Sequence, residues 1–138
     1  MDRAPSPALC AAPHPLQALI RAADEAIGRE DFDTLLAFYT DDALLVVKPG
    51  LLARGKAQIR RAFVAIAEHF GHNLRVRQGR LEILETGDTA LVVAQTLLDT
   101  RHGKLSRRAT YVFRREADGA WRCAVDNSYG TDLLEATT

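Results

Sequence analysis

What most constrains this chain is its C-terminal half: after Gly71 every segment has strand character, and Gly-containing connections divide it at intervals suited to a meander. The segments run 73–85, 89–100, 105–116 and 121–129, separated by Thr86-Gly87-Asp88, His102-Gly103-Lys104 and Ala117-Asp118-Gly119. Loops this short join strands that pair antiparallel with their sequence neighbours. The longest segments exceed ordinary strand length, which predicts bulges and strong curvature. A curved sheet wraps something.

The first half supplies what is wrapped. From Pro15, the residues Leu16, Leu19, Ile20, Ala23 and Ile27 recur at helical spacing. Asp31 can cap a second, short helix that carries Leu35, Leu36 and Phe38 and runs to Tyr39. Thr40-Asp41-Asp42 reads as a turn, and Ala43 to Lys48 as a buried strand stopped by Pro49-Gly50. After Gly55, Ile59, Ala62, Phe63, Ile66 and Ala67 give a third helix ending near Gly71. Helices first and strands last argue against alternating βαβ units. The expectation is an α+β domain over residues 15–131, three N-terminal helices on a strongly curved, mainly antiparallel sheet enclosing a pocket, with tails at 1–14 and 132–138.

Composition narrows the function classes. Eighteen Lys plus Arg balance 18 Asp plus Glu, so no net field would hold a nucleic acid. The densest basic group, Arg75, Arg77, Arg80, Arg107, Arg108, Arg114 and Arg115, is interleaved with Glu82, Glu85 and Glu116 and reads as a solvated face or as intersubunit ion pairs. No stretch is long enough to span a bilayer, and prolines at 5, 7, 13 and 15 interrupt the only N-terminal apolar patch, so no membrane partner and no signal peptide is expected. Cys10 and Cys123 lie far apart without metal or redox spacing, which fits reduced thiols in a cytoplasm. His69 and His72 straddle Gly71 with no third ligand at motif spacing, so neither a metal nor another cofactor is expected.

The candidate site residues come from strand parity. In the last strand Trp121, Cys123, Val125, Asn127 and Tyr129 share one face, Arg122, Ala124, Asp126 and Ser128 the other, and the apolar set should face the helices. That puts Trp121, Asn127 and Tyr129 on the pocket wall, where Asn127 either bonds a ligand carbonyl or satisfies nearby backbone. Asp126 is the one carboxylate well inside a core strand. If a bulge turns it inward, desolvation raises its pKa and suits it to proton abstraction; otherwise it pairs with an arginine outside. Gln95 faces inward on one reading of its sheet, Tyr111 goes with Ala109 and Phe113, and His72 is placed to line the pocket mouth. The third segment carries Leu91, Val93 and Leu97 on one face and Ala90, Val92, Ala94 and Leu98 on the other, so both faces need cover, and a second chain or the chain's own tail can supply it on the outside.

Three short phrases carry a family resemblance. Phe38-Tyr39-Thr40-Asp41-Asp42-Ala43 resembles the helix-to-strand junction of SnoaL-like and DUF4440-type members of the NTF2-like superfamily. Pro49-Gly50 with Gly55-Lys56 and Ile59 resembles their loop into the third helix, and Gly119-Ala120-Trp121-Arg122-Cys123 through Asp126-Asn127-Ser128-Tyr129-Gly130 their last strand. The resemblance spans roughly residues 15–131 and implies a cone-shaped fold, a homodimer through the outer sheet face and a pocket for an apolar small molecule. It also implies either a cofactor-free acid/base enzyme, an isomerase, cyclase, dehydratase or hydrolase, or a noncatalytic binding or association module. In the isomerase relatives a tyrosine donates to a ligand oxyanion, which nominates Tyr39 as partner to Asp126. Neither the isomerase's Tyr and two Asp nor the epoxide hydrolase's Asp-Arg-Asp can be carried over residue by residue.

Overall fold

The computed structural model describes residues 14–135. Helix α1 spans Pro15–Arg29, with the His14 ring accepting from the Leu16 N–H at its start and Glu30 in the left-handed conformation at its end. Its buried stripe includes Leu16, Ile20, Ala23 and Ala26. Helix α2, Phe32–Leu36, is capped by Asp31, whose carboxylate takes both the N–H and the hydroxyl of Thr34. Helix α3 spans Gly55–His69 and buries Ile59, Phe63 and Ala67.

Six strands follow the chain as β1 (Tyr39–Lys48), β2 (Leu51–Arg54), β3 (Arg75–Thr86), β4 (Thr89–Thr100), β5 (Gly103–Arg115) and β6 (Trp121–Asn127), lying side by side in the order β2-β1-β6-β5-β4-β3. The last four make the expected antiparallel meander. β1 pairs with β6 in parallel, which requires the chain to return across the sheet, and this pairing is not apparent from local sequence. The sheet is curved and unclosed, and register shifts interrupt the β1/β2, β1/β6, β3/β4 and β5/β6 ladders.

Several expectations are corrected. Tyr39 does not end the second helix: it opens β1, and Thr40-Asp41-Asp42 is no turn but an irregular stretch of that strand, between the Tyr39 and Leu44 pairings with β6. There the two carboxylates point to solvent and meet Lys56 and Arg114. The strand β2 was not expected. β6 stops at Asn127, and residues 132–135, expected as tail, belong to a 3-10 helix over Gly130–Glu135. Residues 1–13 and 136–138, including Cys10, lie outside the described residues, whereas Cys123 is a buried free thiol.

The turn from β6 into that 3-10 helix is tightly specified. The Asn127 side chain accepts from the N–H groups of Tyr129 and Gly130 and donates to the Gly130 carbonyl. Gly130 has φ 54°, and a Cβ there would collide with the Arg108 carbonyl oxygen. Gly130→Ala is therefore expected to lose about 2 kcal/mol or more in urea unfolding. Gly79→Ala, where the atoms nearest the added carbon belong to the Gln95 side chain and the tightest is its movable end, should lose clearly less. Equal losses would remove the case for a rigid turn.

Candidate active site

Between the helices and the concave sheet face lies a cavity of about 470 Å³. Most of its wall is apolar, from residues such as Ile20, Phe38, Phe63, Ile66 and Leu98. Two carboxyl groups enter it, Asp126 from β6 and Asp24 from α1, and both residues are buried.

A bulge in β6 turns Asp126 inward. Phe113 of β5 pairs with Cys123 and Val112 with Val125, so Ala124 is the extra residue and the alternation of faces reverses across it. Cys123 points into the core before the bulge, and Asp126, opposite Tyr111, points into the cavity after it. The same reversal removes Asn127 from the cavity wall and leaves it to hold the following turn, a correction to the simple two-residue parity.

The Tyr39 hydroxyl donates to Asp126 Oδ2 at 2.6 Å. Burial raises Asp126 and this bond pulls it partly back, leaving its pKa at about 6. Burial also lifts the Tyr39 hydroxyl well above its ordinary value, with the Asp126 charge acting in the same direction, so it remains a donor. Asp24 sits at about 7: burial raises it, the bond from Gln78 opposes this, and the charges of Asp126 and Glu25 add to the rise. Gln78 Nε2 donates to Asp24 Oδ2 at 2.9 Å, while Gln78 Oε1 accepts from the Thr96 hydroxyl at 3.3 Å, which fixes the amide's orientation. Tyr111, also on the wall, is raised well above its ordinary value, chiefly by burial.

The arrangement thus offers two buried carboxyls, both held above the ordinary carboxylate range, that can take and return a proton in a greasy enclosure.

Of the candidate residues, Asp126, Tyr39, Tyr111 and Tyr129 line this cavity. The other four do not. Gln95 lies on the exposed face, because β4 buries Ala90, Val92, Ala94 and Thr96 instead. His72 pairs with Glu30 on the surface beside a small separate hollow, and its neighbour His69 reaches the cavity mouth. Trp121 lies outside the cavity lining, packed near His14 and under the Arg115 guanidinium. Asp24, Gln78 and Thr96 escaped the sequence reading. Asp24 had a signal: four residues after Ile20 and three before Ile27, it is a charge on the apolar stripe of its helix.

The SnoaL-like domain model matches residues 16–125. The chain belongs to the SnoaL-like family. Its fold is the NTF2-like one, as the solved structures it resembles also indicate. A protein from Catenulispora acidiphila superposes with a TM-score of 0.74 at 21% identity, over 94% of this chain and 96% of that one. A Nostoc punctiforme protein of unknown function with a cystatin-like fold gives 0.72 at 20% identity, over 80% and 84%. An NTF2-like protein of unknown function from Pseudomonas putida gives 0.70 at 21% identity, over 80% of each chain. No functionally curated protein matches the sequence. At such identities the SnoaL-like chain shares a fold with these structures, and its chemistry has to be argued from its own residues. Among the described residues no group of three or more His, Cys, Asp or Glu could hold a metal ion, and no helix is long and apolar enough to cross a membrane.

Proposed function

We propose that this SnoaL-like protein binds an apolar small molecule in the cavity and acts on it as a cofactor-independent acid/base enzyme, of the isomerase, cyclase, dehydratase or hydrolase kind. The observation that carries the reading is Asp126, a buried carboxylate poised near pH 6 on a mainly apolar wall and held by one tyrosine hydroxyl. A base of that strength is largely ionised at neutral pH and still takes a proton in a water-poor site. Asp24, the more readily protonated partner, returns a proton to the product. We read the protein as a cytoplasmic homodimer. Leu84, Leu91 and Val93, exposed together on the outer sheet face, support the pairing, and the free thiol of Cys123 suits a reducing compartment.

Proton exchange is the test that needs no knowledge of the natural substrate. Incubated in D2O with a panel of apolar ketones, the protein should accelerate loss of the proton signal next to the carbonyl, read by NMR. The rate should rise with pH through about 6 as Asp126 ionises. Binding without exchange for every ketone would favour the noncatalytic module instead.

A further inference from the structure

The cavity is polarised, and the polarity identifies the kind of ligand. Its carboxyls belong to buried residues, whereas its exposed lining residues include Lys48 at the end of β1, Leu51 in β2 and His69 at the end of α3. These mark the mouth, at the end of the sheet where β1 and β6 end and β5 begins. Arg107, half-buried near the start of β5, lines the same end. Arg77, Arg80, Arg114 and Arg115 each meet a carboxylate of this chain. Arg107 and Lys48 meet none among the described residues. The Arg107 guanidinium lies instead over the Tyr129 ring, 4.4 Å from its centroid, and Tyr129 is held by the Asn127 turn. A planar cation is thus held in place at the mouth with its hydrogen-bonding edge uncommitted to any acid of the described residues.

We propose that the ligand is an amphipathic acid, an apolar body ending in one carboxylate or similar oxyanion group, which docks at the mouth on Arg107 and Lys48. This rests on the reading of the cavity as a small-molecule site. The charge distribution also sets the orientation. An anionic head driven inward would meet Asp126 and Asp24, so the head stays at the mouth and the apolar body extends toward Asp126. Arg107 then acts in specificity, separating acids from neutral molecules of the same shape.

Naphthalene-2-carboxylate and naphthalene-2-carboxamide, matched in shape and differing in charge, serve as probes by isothermal titration calorimetry near pH 7. The carboxylate should bind about tenfold tighter or more, the scale of a charge-assisted hydrogen bond. Arg107→Gln should remove that preference while weakening the carboxamide far less, and Arg107→Lys should retain most of it. Lys48→Gln, at an exposed position that cannot threaten folding, should weaken the carboxylate several-fold relative to the carboxamide. Equal affinity of the two probes for the unaltered protein would overturn the inference and leave the pocket reading intact. So would Arg107→Gln and Lys48→Gln weakening both probes alike. Binding of neither probe would overturn the inference and the pocket reading together.

Discussion

Replacing Asp126 with Asn should slow ketone proton exchange by about 10²–10⁴-fold, the range that a positioned general base supplies. The exchange is chosen because it isolates one act, removal of a proton by a carboxylate. Asparagine has nearly the shape of aspartate and still offers an oxygen to the Tyr39 hydroxyl, so the 2.6 Å contact survives in kind. What it cannot do is accept a proton at neutral pH. The rise in rate through about pH 6 should vanish along with the rate itself. Loss of activity through unfolding is separable, because a neutral amide costs less to bury than a carboxylate and the variant should melt no lower than its parent at pH 8. A variant that keeps its rate within a few-fold, with the pH rise intact, would remove Asp126 from the chemistry and make Asp24 the base.

Why Asp126 could be nominated but not placed shows where sequence ceases to determine structure. The meander was legible because each pairing in it is local, set by a short loop and an alternation that the eye can follow. The parallel contact of β1 with β6 has no local signature, since it depends on where the far end of the chain arrives. Parity within β6 fails for a related reason. One extra residue at Ala124 exchanges the faces of everything after it, and a bulge is set by the ladder with β5, not by the strand's own residues. Asn127 and Asp126 accordingly changed places, one leaving the cavity as the other entered. Thr40-Asp41-Asp42 shows the same limit in reverse: residues with turn chemistry sit inside a strand, where an irregular stretch, like a turn, leaves Asp41 and Asp42 in solvent while Thr40 is buried. β4 offered two apolar faces and no means of choosing between them, so Gln95 was nominated and Thr96 overlooked until helices lay on one side.

Asp24→Asn should stabilise the protein at pH 8 by on the order of 2–4 kcal/mol and leave its stability near pH 4 unchanged. Asp24 ionises at about 7 in the folded chain against an ordinary value of 3.8. A raised carboxyl binds its proton more tightly folded than unfolded, so its favourable contribution is complete below 3.8 and is lost as pH climbs through about 7. Each unit of difference corresponds to about 1.4 kcal/mol, which sets the scale for this buried group. Asparagine presents the same oxygen to the Gln78 amide and never ionises, so it avoids the cost of holding a charge there. Asp126, raised to about 6, should leave the variant with a shallower decline that ends sooner. Asp31, Asp42 and Asp118 are exposed carboxyls shifted downward by hydrogen bonds, so they act below their ordinary value and in both proteins alike. Urea unfolding at a series of pH values should therefore give two curves that coincide near pH 4 and diverge toward pH 8. Parallel curves, or a variant weaker at pH 8, would mean that Asp24 carries no raised proton and that the cavity has one acid group to work with instead of two.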